Sequence, residues 1–158
     1  MNKFEININN YKKITIAHLV LDYNGTLAKD GLLKEGVKML LPQLSKLFAV
    51  HVITADTFGS VHKQLEDFDV NVKVLESTEH TKEKAAFIQT LGASFCVAVG
   101  NGNNDVSMLE AAELGIALMG DEGCATKTLL VSDIVCHSIE DALELFTQPQ
   151  RLQATLRQ

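Results

Sequence analysis

The stretch that most restricts how this chain can fold is Leu19-Val-Leu-Asp-Tyr-Asn-Gly-Thr26. An apolar run stops abruptly at a carboxylate, Asp22, and Asn24-Gly25 breaks the chain directly behind it. A short apolar run closed by a turn signal reads as a buried strand of a parallel sheet. Glycine tolerates the positive φ of a sharp turn. Ligands of open α/β sheets bind beyond the carboxyl ends of the strands, so Asp22 is expected at the mouth of a site. A strand-end aspartate also serves simply to cap a turn, and this stretch alone leaves both readings open.

The rest of the chain alternates in the same way. Residues 4–8 alternate apolar and polar, Asn9-Asn10 is a turn signal, and residues 14–17 resume an extended pattern, which predicts an N-terminal hairpin. Residues 28–31 form a turn-rich stretch expected to make a small flap. Val37, Leu40, Leu41, Leu44 and Leu47 fall at helical spacing within residues 36–48, where Pro42 kinks the helix or shifts its start. Further helices are expected over residues 58–68, 81–91, 106–114 and 139–146, with Gly92 and Gly115 closing the second and third of these. Strands are expected over residues 50–54, 70–75, 95–99, 116–119 and 133–136, the wholly apolar 95–99 being central. The polar tail after Pro149 is expected to be mobile. Strands alternating with helices imply an α/β architecture with a mainly parallel sheet covered on both faces.

A length of 158 residues suits one domain spanning 1–158, large enough to bury a core without staples. The formal net charge of −6 argues against a general nucleic-acid surface, yet leaves room for a phosphorylated substrate held by a local field. Cys96, Cys124 and Cys136 are scattered, and an odd count without metal-like spacing points to a reducing compartment. The polar, Asn-rich start does not read as a signal peptide, and no apolar run reaches the roughly 18 residues of a membrane span. A cytoplasmic protein is the expectation.

Polar residues collect where strands end: Thr54-Ala55-Asp56-Thr57 after the second core strand, and Gly100-Asn-Gly-Asn-Asn-Asp105 after the fourth. Lys82-Glu-Lys84 opens the helix after the third. If these ends converge on Asp22, the site holds a carboxylate able to attack, a hydroxyl, a lysine and a second carboxylate in a Gly/Asn loop. That set suits phosphoryl transfer: Asp can form a phospho-enzyme, and cations with fixed donors stabilise the transferring charge.

Asp22-Tyr-Asn-Gly-Thr26, Thr54, Lys84 and Gly100-Asn-Gly-Asn-Asn-Asp105 resemble, in order, the four motifs of the haloacid dehalogenase (HAD) superfamily. Among its members the chain is most similar to small soluble relatives of the P-type ATPase phosphorylation domain. The resemblance runs from about Leu19 to at least Leu118, and residues 138–157 look like the end of such proteins. It implies a Rossmann-like fold and a Mg²⁺-dependent phosphatase. Asp22 matches the nucleophile and a metal ligand. The Asn24 carbonyl matches a Mg²⁺ ligand. Thr54, with Ala55 beside it, matches the phosphoryl-binding segment. Lys84 matches the lysine that orients nucleophile and phosphate. Lys84 is preferred to Lys82 because Phe87, Ile88 and Leu91 follow it on one helical face; a solvated surface lysine is the alternative for either. Asp105 matches the last acid of the fourth motif, as Mg²⁺ ligand or lysine partner.

Two positions depart from the pattern. Where most phosphatases of the superfamily have D-x-D-G-T, the second acid is here Asn24, and an amide cannot shuttle a proton. Losing one general acid/base typically costs about 10²–10⁴-fold. Asn101 stands where G-D-G-x-N-D places a metal-binding Asp, so it offers a carbonyl oxygen but no charge. Slow turnover and weak Mg²⁺ binding are the expectation. The alternative is a catalytically weakened phosphate-binding or regulatory module that keeps the fold.

Other candidates carry less. Gly100-Asn-Gly lacks the third glycine of a dinucleotide fingerprint and no Walker lysine follows. His18, His51, His62, His80 and His137 share no metal-ligand spacing. Asp56 reads as a helix N-cap or as a further acid behind the site, Asp133 as a strand-edge or turn residue, and Cys124 lacks a local base. Roughly 30 residues separate Asp22 from Thr54, and a similar number Thr54 from Lys84, which leaves no room for the cap domain many relatives insert. The site is then open to a phosphorylated small molecule or phosphoprotein, or a neighbouring copy covers it, with residues 28–34 as the local lid or oligomer contact.

Overall fold

A computed structural model describes residues 2–56 and 59–158. Its centre is a sheet of six strands, all paired in parallel: β3 (His18–Asp22), β6 (Ala49–Thr54), β7 (Asn71–Val74), β8 (Cys96–Gly100), β9 (Leu114–Leu118) and β10 (Ile134–Cys136). The order across the sheet is β10-β9-β8-β3-β6-β7. Chain progression runs outward from β3 through β6 to β7, then returns to the other side of β3 at β8. The reversal makes a crevice at the carboxyl ends of β3 and β8, which is where such sheets bind ligands.

Side chains of a strand alternate between faces, and the two faces bury different partners. Leu19, Leu21, Val50, Val52, Val97 and Val99 pack with helices α1 (Glu35–Leu44) and α6 (Ile139–Thr147). Val20, Ile53, Cys96 and Ala98 pack on the opposite face with α3 (His80–Leu91) and α4 (Val106–Ala111). Each central strand is thus apolar on both sides, which explains why its sequence reads as an unbroken hydrophobic run.

Two small antiparallel pairs flank the sheet. β1 (Phe4–Asn7) and β2 (Lys13–Ile16) form the expected N-terminal hairpin. β4 (Ala28–Lys29) and β5 (Leu32–Leu33) form the expected flap. Pro42 lies inside α1 near its end without stopping it. Between Asp22 and Thr54 the chain spends its residues on the flap and α1, and between Thr54 and Lys84 on α2 (Ser60–Leu65) and β7. The expected start of α2 at Phe58 lies outside the described residues, as does Thr57 of the expected strand-end segment.

Three expectations need correction. Gly115 does not cap the helix before it: it is the second residue of β9. A Cβ there would sit 2.6 Å from the Leu109 carbonyl oxygen, so glycine permits α4 to lie close on the strand. The segment after Cys124, where no element was expected, forms α5 (Thr126–Val131), held by the buried Thr128. The tail after Pro149 is a helix, α7 (Pro149–Leu156), rather than a mobile end. Pro149 suits the first helical turn, and Leu152 is fully buried beneath the helix. Gln153 adds two bonds to the first hairpin, donating to the Asn7 carbonyl at 2.7 Å and accepting from the Asn9 N–H at 2.7 Å. Among the described residues no helix is long and apolar enough to cross a membrane.

Candidate active site

Asp22 is the last residue of β3 and Thr54 the last of β6, its immediate neighbour. The turn after Asp22 is wound on one carbonyl: Tyr23 O accepts the N–H groups of Thr26, Leu27 and Ala28 at 3.2, 2.9 and 3.1 Å. Tyr23 donates its hydroxyl to Gly31 O at 3.0 Å and so ties the flap to the strand end. Gly25 takes φ of +75°, as the Asn-Gly step predicts.

Lys84 enters from α3. It is buried on the same face as Ile88, four residues on, which turns its stem inward along the sheet. The preceding loop is fixed by Glu83, whose carboxylate accepts the Glu76 and Ser77 N–H groups at 2.9 and 2.8 Å. The N–H groups of Ser77 and Glu76 hold the Glu83 carboxyl down at about 2. The Lys84 ammonium stands 3.5 Å from Asp22 Oδ1 and 2.8 Å from Asp105 Oδ1, and donates to Asn104 Oδ1 at 3.1 Å. Lys82, by contrast, is exposed and pairs with Glu79 at 3.1 Å. The helical spacing therefore selects the lysine that faces Asp22 and Asp105.

Asp105 is fully buried at the start of α4. Its Oδ2 accepts the N–H groups of Asn101 and Gly102 at 3.0 and 3.1 Å, while Oδ1 faces Lys84. Gly100 makes this possible, because a Cβ there would lie 2.5 Å from the Asp105 carboxylate carbon. Of the two roles open to Asp105, the geometry fits the lysine partner and loop clasp. Asn101 is buried; its side-chain N–H donates to Gly123 O at 3.0 Å, which leaves the amide oxygen for another partner.

Electrostatically the three charged groups form one unit. Burial, then repulsion from Asp105, pushes the Asp22 carboxyl up to about 7, with Lys84 opposing. Burial alone would depress Lys84, but Asp22 and Asp105 outweigh it and raise its pKa, so the cation is firmly held. Thr54 is buried and its Oγ accepts the Asp56 N–H at 3.0 Å. Asp56 in turn accepts from Ser60 Oγ at 2.6 Å and Val61 N–H at 3.0 Å; it holds the first turn of α2 from outside, while the N-cap itself is Gly59 rather than Asp56. Asp133 holds the Gly115 N–H at 2.8 Å, as expected of a strand-edge residue. Thr26 Oγ is the one buried side-chain polar atom among the described residues without a hydrogen-bond partner.

Asn24 is exposed beside two clefts that share it and Gly31. One, of about 370 Å³, is lined by Ala55 and Asp56; the other, of about 290 Å³, by Lys29, Asp121 and Glu122. The loop carrying Asp121 and Glu122 was missed in the sequence. Its only signal was an acidic pair between two glycines, Gly120 and Gly123. Lys34 of the flap grips Asp121 at 2.7 Å.

This arrangement can be compared with known proteins. No family model matches the chain. An uncharacterised protein of Methanocaldococcus jannaschii is 54% identical over 61 residues, 39% of this chain and 66% of that protein. A soluble P-type ATPase-like phosphatase of the same organism is 24% identical over 123 residues, 76% of this chain and 45% of that protein. This chain thus spans about half the length of that phosphatase and just under two thirds of the other relative. Among solved structures, the 3-deoxy-D-manno-octulosonate 8-phosphate phosphatase of Moraxella catarrhalis superposes with a TM-score of 0.66 at 17% identity, covering 88% of this chain and 90% of that one. A structure from Legionella pneumophila described as a HAD superfamily (subfamily III A) hydrolase gives 0.67 at 15% identity, covering 89% and 86%. The fold is that of the haloacid dehalogenase superfamily. The Moraxella structure holds a magnesium ion, a phosphate ion and a KDO molecule. Within this fold Asp22 and Thr54 end neighbouring strands, and Lys84 and Asp105 meet at the carboxyl end of β3.

Proposed function

We propose that this protein is a phosphohydrolase acting on phosphate monoesters through an aspartyl phosphate at Asp22. The observation that supports it best is the buried Lys84 held between Asp22 and Asp105 at 3.5 and 2.8 Å, at the sheet's crevice. In this reading an Asp22 carboxylate oxygen attacks phosphorus and the ester oxygen leaves. Lys84 keeps Asp22 oriented and screens it from the incoming phosphoryl oxygens. Thr54 offers its hydroxyl proton to a phosphoryl oxygen. Water then attacks the phosphorus, the bond to Asp22 breaks, and phosphate departs.

The donors fit a hard divalent cation. Asp22, the Asn24 carbonyl and the Asn101 amide supply oxygen only, the ligand type Mg²⁺ takes, and Mg²⁺ is commonly held by one or two carboxylates plus substrate phosphate. Asn24 and Asn101 bring no charge, so Asp22 supplies the formal charge of this donor set and weak binding is expected. Bound there, Mg²⁺ would neutralise phosphoryl charge and align it with Asp22. In this reading a phosphorylated small molecule or a phosphoprotein reaches the site through the clefts beside Asn24. A second copy of the chain is the candidate cover.

The test is turnover of p-nitrophenyl phosphate with Mg²⁺. Wild type is expected to hydrolyse it slowly and Asp22→Asn not at all; equal rates would remove Asp22 as nucleophile. Asn24→Asp is expected to raise hydrolysis by roughly 10²-fold, the lower end of what one acid–base group contributes. Asn24 and Asn101 favour a second reading, a phosphate-binding regulatory module. Thermal protection by Mg²⁺ and beryllofluoride without any turnover would select it.

A further inference from the structure

Asn24 removes the group that should take the proton from the attacking water, yet a carboxylate approaches the same turn from elsewhere in the chain. The loop between β9 and α5 lays the Glu122 side chain over Gly25, one residue from Asn24 and three from Asp22. A Cβ on Gly25 would lie 2.9 Å from the Glu122 carboxylate carbon and overlap one of its oxygens. The same point is 3.6 Å from the Asn101 amide nitrogen. Glycine at position 25 therefore does two things: it makes the turn, and it leaves the space the carboxylate fills.

The loop is pinned on both sides. Ala125 N–H donates to Asn101 O at 2.7 Å, Asn101 donates back to Gly123 O at 3.0 Å, and Thr128 donates to Gly102 O at 2.6 Å. On the other side Asp121 is held by Lys34 at 2.7 Å. These ties join the loop to the two segments that carry the amide substitutions, and they leave Glu122 lining the cleft beside Asn24. A loop held this way presents Glu122 at the turn with little reordering of its backbone.

We propose that Glu122 is the general base that hydrolyses the aspartyl phosphate, supplied from the β9–α5 loop in place of the missing acid at Asn24. The inference rests on the phosphohydrolase reading above. In the second half-reaction Glu122 takes a proton from water as the water oxygen bonds to phosphorus. The phosphorus–oxygen bond to Asp22 breaks, Asp22 leaves as carboxylate, and Glu122 passes its proton to solvent. Formation of the aspartyl phosphate does not involve Glu122.

Single-turnover kinetics separate the two halves. Protein with Mg²⁺ is mixed with p-nitrophenyl phosphate, the p-nitrophenol burst is followed, and acid-quenched samples are assayed for phospho-enzyme decay. Glu122→Gln is expected to leave the burst unchanged and slow decay by roughly 10²-fold, as for loss of a general base. Glu122→Asp is expected to decay faster than Glu122→Gln, and Asn24→Asp is expected to restore decay in the Glu122→Gln background. Glu122 is exposed, so the variants fold and beryllofluoride protects them as it does wild type. Wild-type decay in Glu122→Gln, with a normal burst, overturns the role of Glu122 and leaves Asp22 as nucleophile. A wild type that forms no phospho-enzyme overturns both readings.

Discussion

Lys84 shows how much one buried cation can carry. It sits between two carboxylates, one of them wholly buried, and no other lysine or arginine among the described residues pairs with either. Removing it leaves Asp105 with only the Asn101 and Gly102 N–H groups for its charge. Breaking one side of a buried ion pair costs about 3–5 kcal/mol, so Lys84→Met is expected to lower the unfolding free energy measured in urea by that much as well as abolish turnover. An unchanged free energy would mean that the Lys84–Asp105 pair adds no net stability to the fold. At this scale the sequence was informative for a physical reason. Asp22 and Thr54 terminate strands and Asp105 stands at the start of a helix, where the hydrophobic pattern breaks, so the polar residue stands out; Lys84 lies in the body of α3. Lys84 over Lys82 followed from helical spacing alone. Glu122 was not legible, because it belongs to a loop whose position depends on bonds to Asn101 and Gly102 made across the fold.

At the scale of elements, the strands and most helices are written in local periodicity, and the misses are instructive. Helix α5 is six residues long and buries little but Thr128, so it has no apolar stripe to read. Helix α7 shows only two apolar side chains of any size, Leu152 and Leu156, and its order comes from Leu152 filling the space beneath the first hairpin. Leu152→Ala is accordingly expected to cost about 2–5 kcal/mol of stability, measured by denaturant unfolding, against the small cost of altering a mobile tail. Gly115 misled because a glycine after a helix usually caps it, whereas here it clears the Leu109 carbonyl. At the other end of the strands, His18 Nδ1 and His51 Nε2 meet at 3.0 Å, a pairing no sequence spacing betrayed. Burial, then the neighbouring His18, pushes His51 down to about 4 from its ordinary 6.5. The folded state thus keeps His51 neutral while the unfolded chain takes up a proton. The stability present above about pH 6.5 is lost as the pH falls through about 4. His51→Gln is expected to flatten that acid limb in thermal melts, while an identical pH profile would show that other groups set it.

For the molecule as a whole, the reversal of strand order at β3 gathers residues 22, 54, 84 and 105 at one edge, although more than eighty positions separate the first from the last. The parallel order was legible, since each strand is followed by a helix that must return the chain to the same end. The flap and the β9–α5 loop close only the rim of the crevice, with Lys34 and Asp121 joining them. Leu32 stands exposed at the flap. If a second copy covers the site through it, Leu32→Glu is expected to halve the mass measured by light scattering, whereas an unaltered mass would leave the site open or covered by another surface. The most direct measurement of the central claim is peptide mass spectrometry after rapid acid quench with Mg²⁺ and p-nitrophenyl phosphate. A single added phosphoryl group is predicted on residues 14–29, acid-stable, labile to hydroxylamine and absent in Asp22→Asn. Hydrolysis of the ester with no phosphoryl group on that peptide would contradict it.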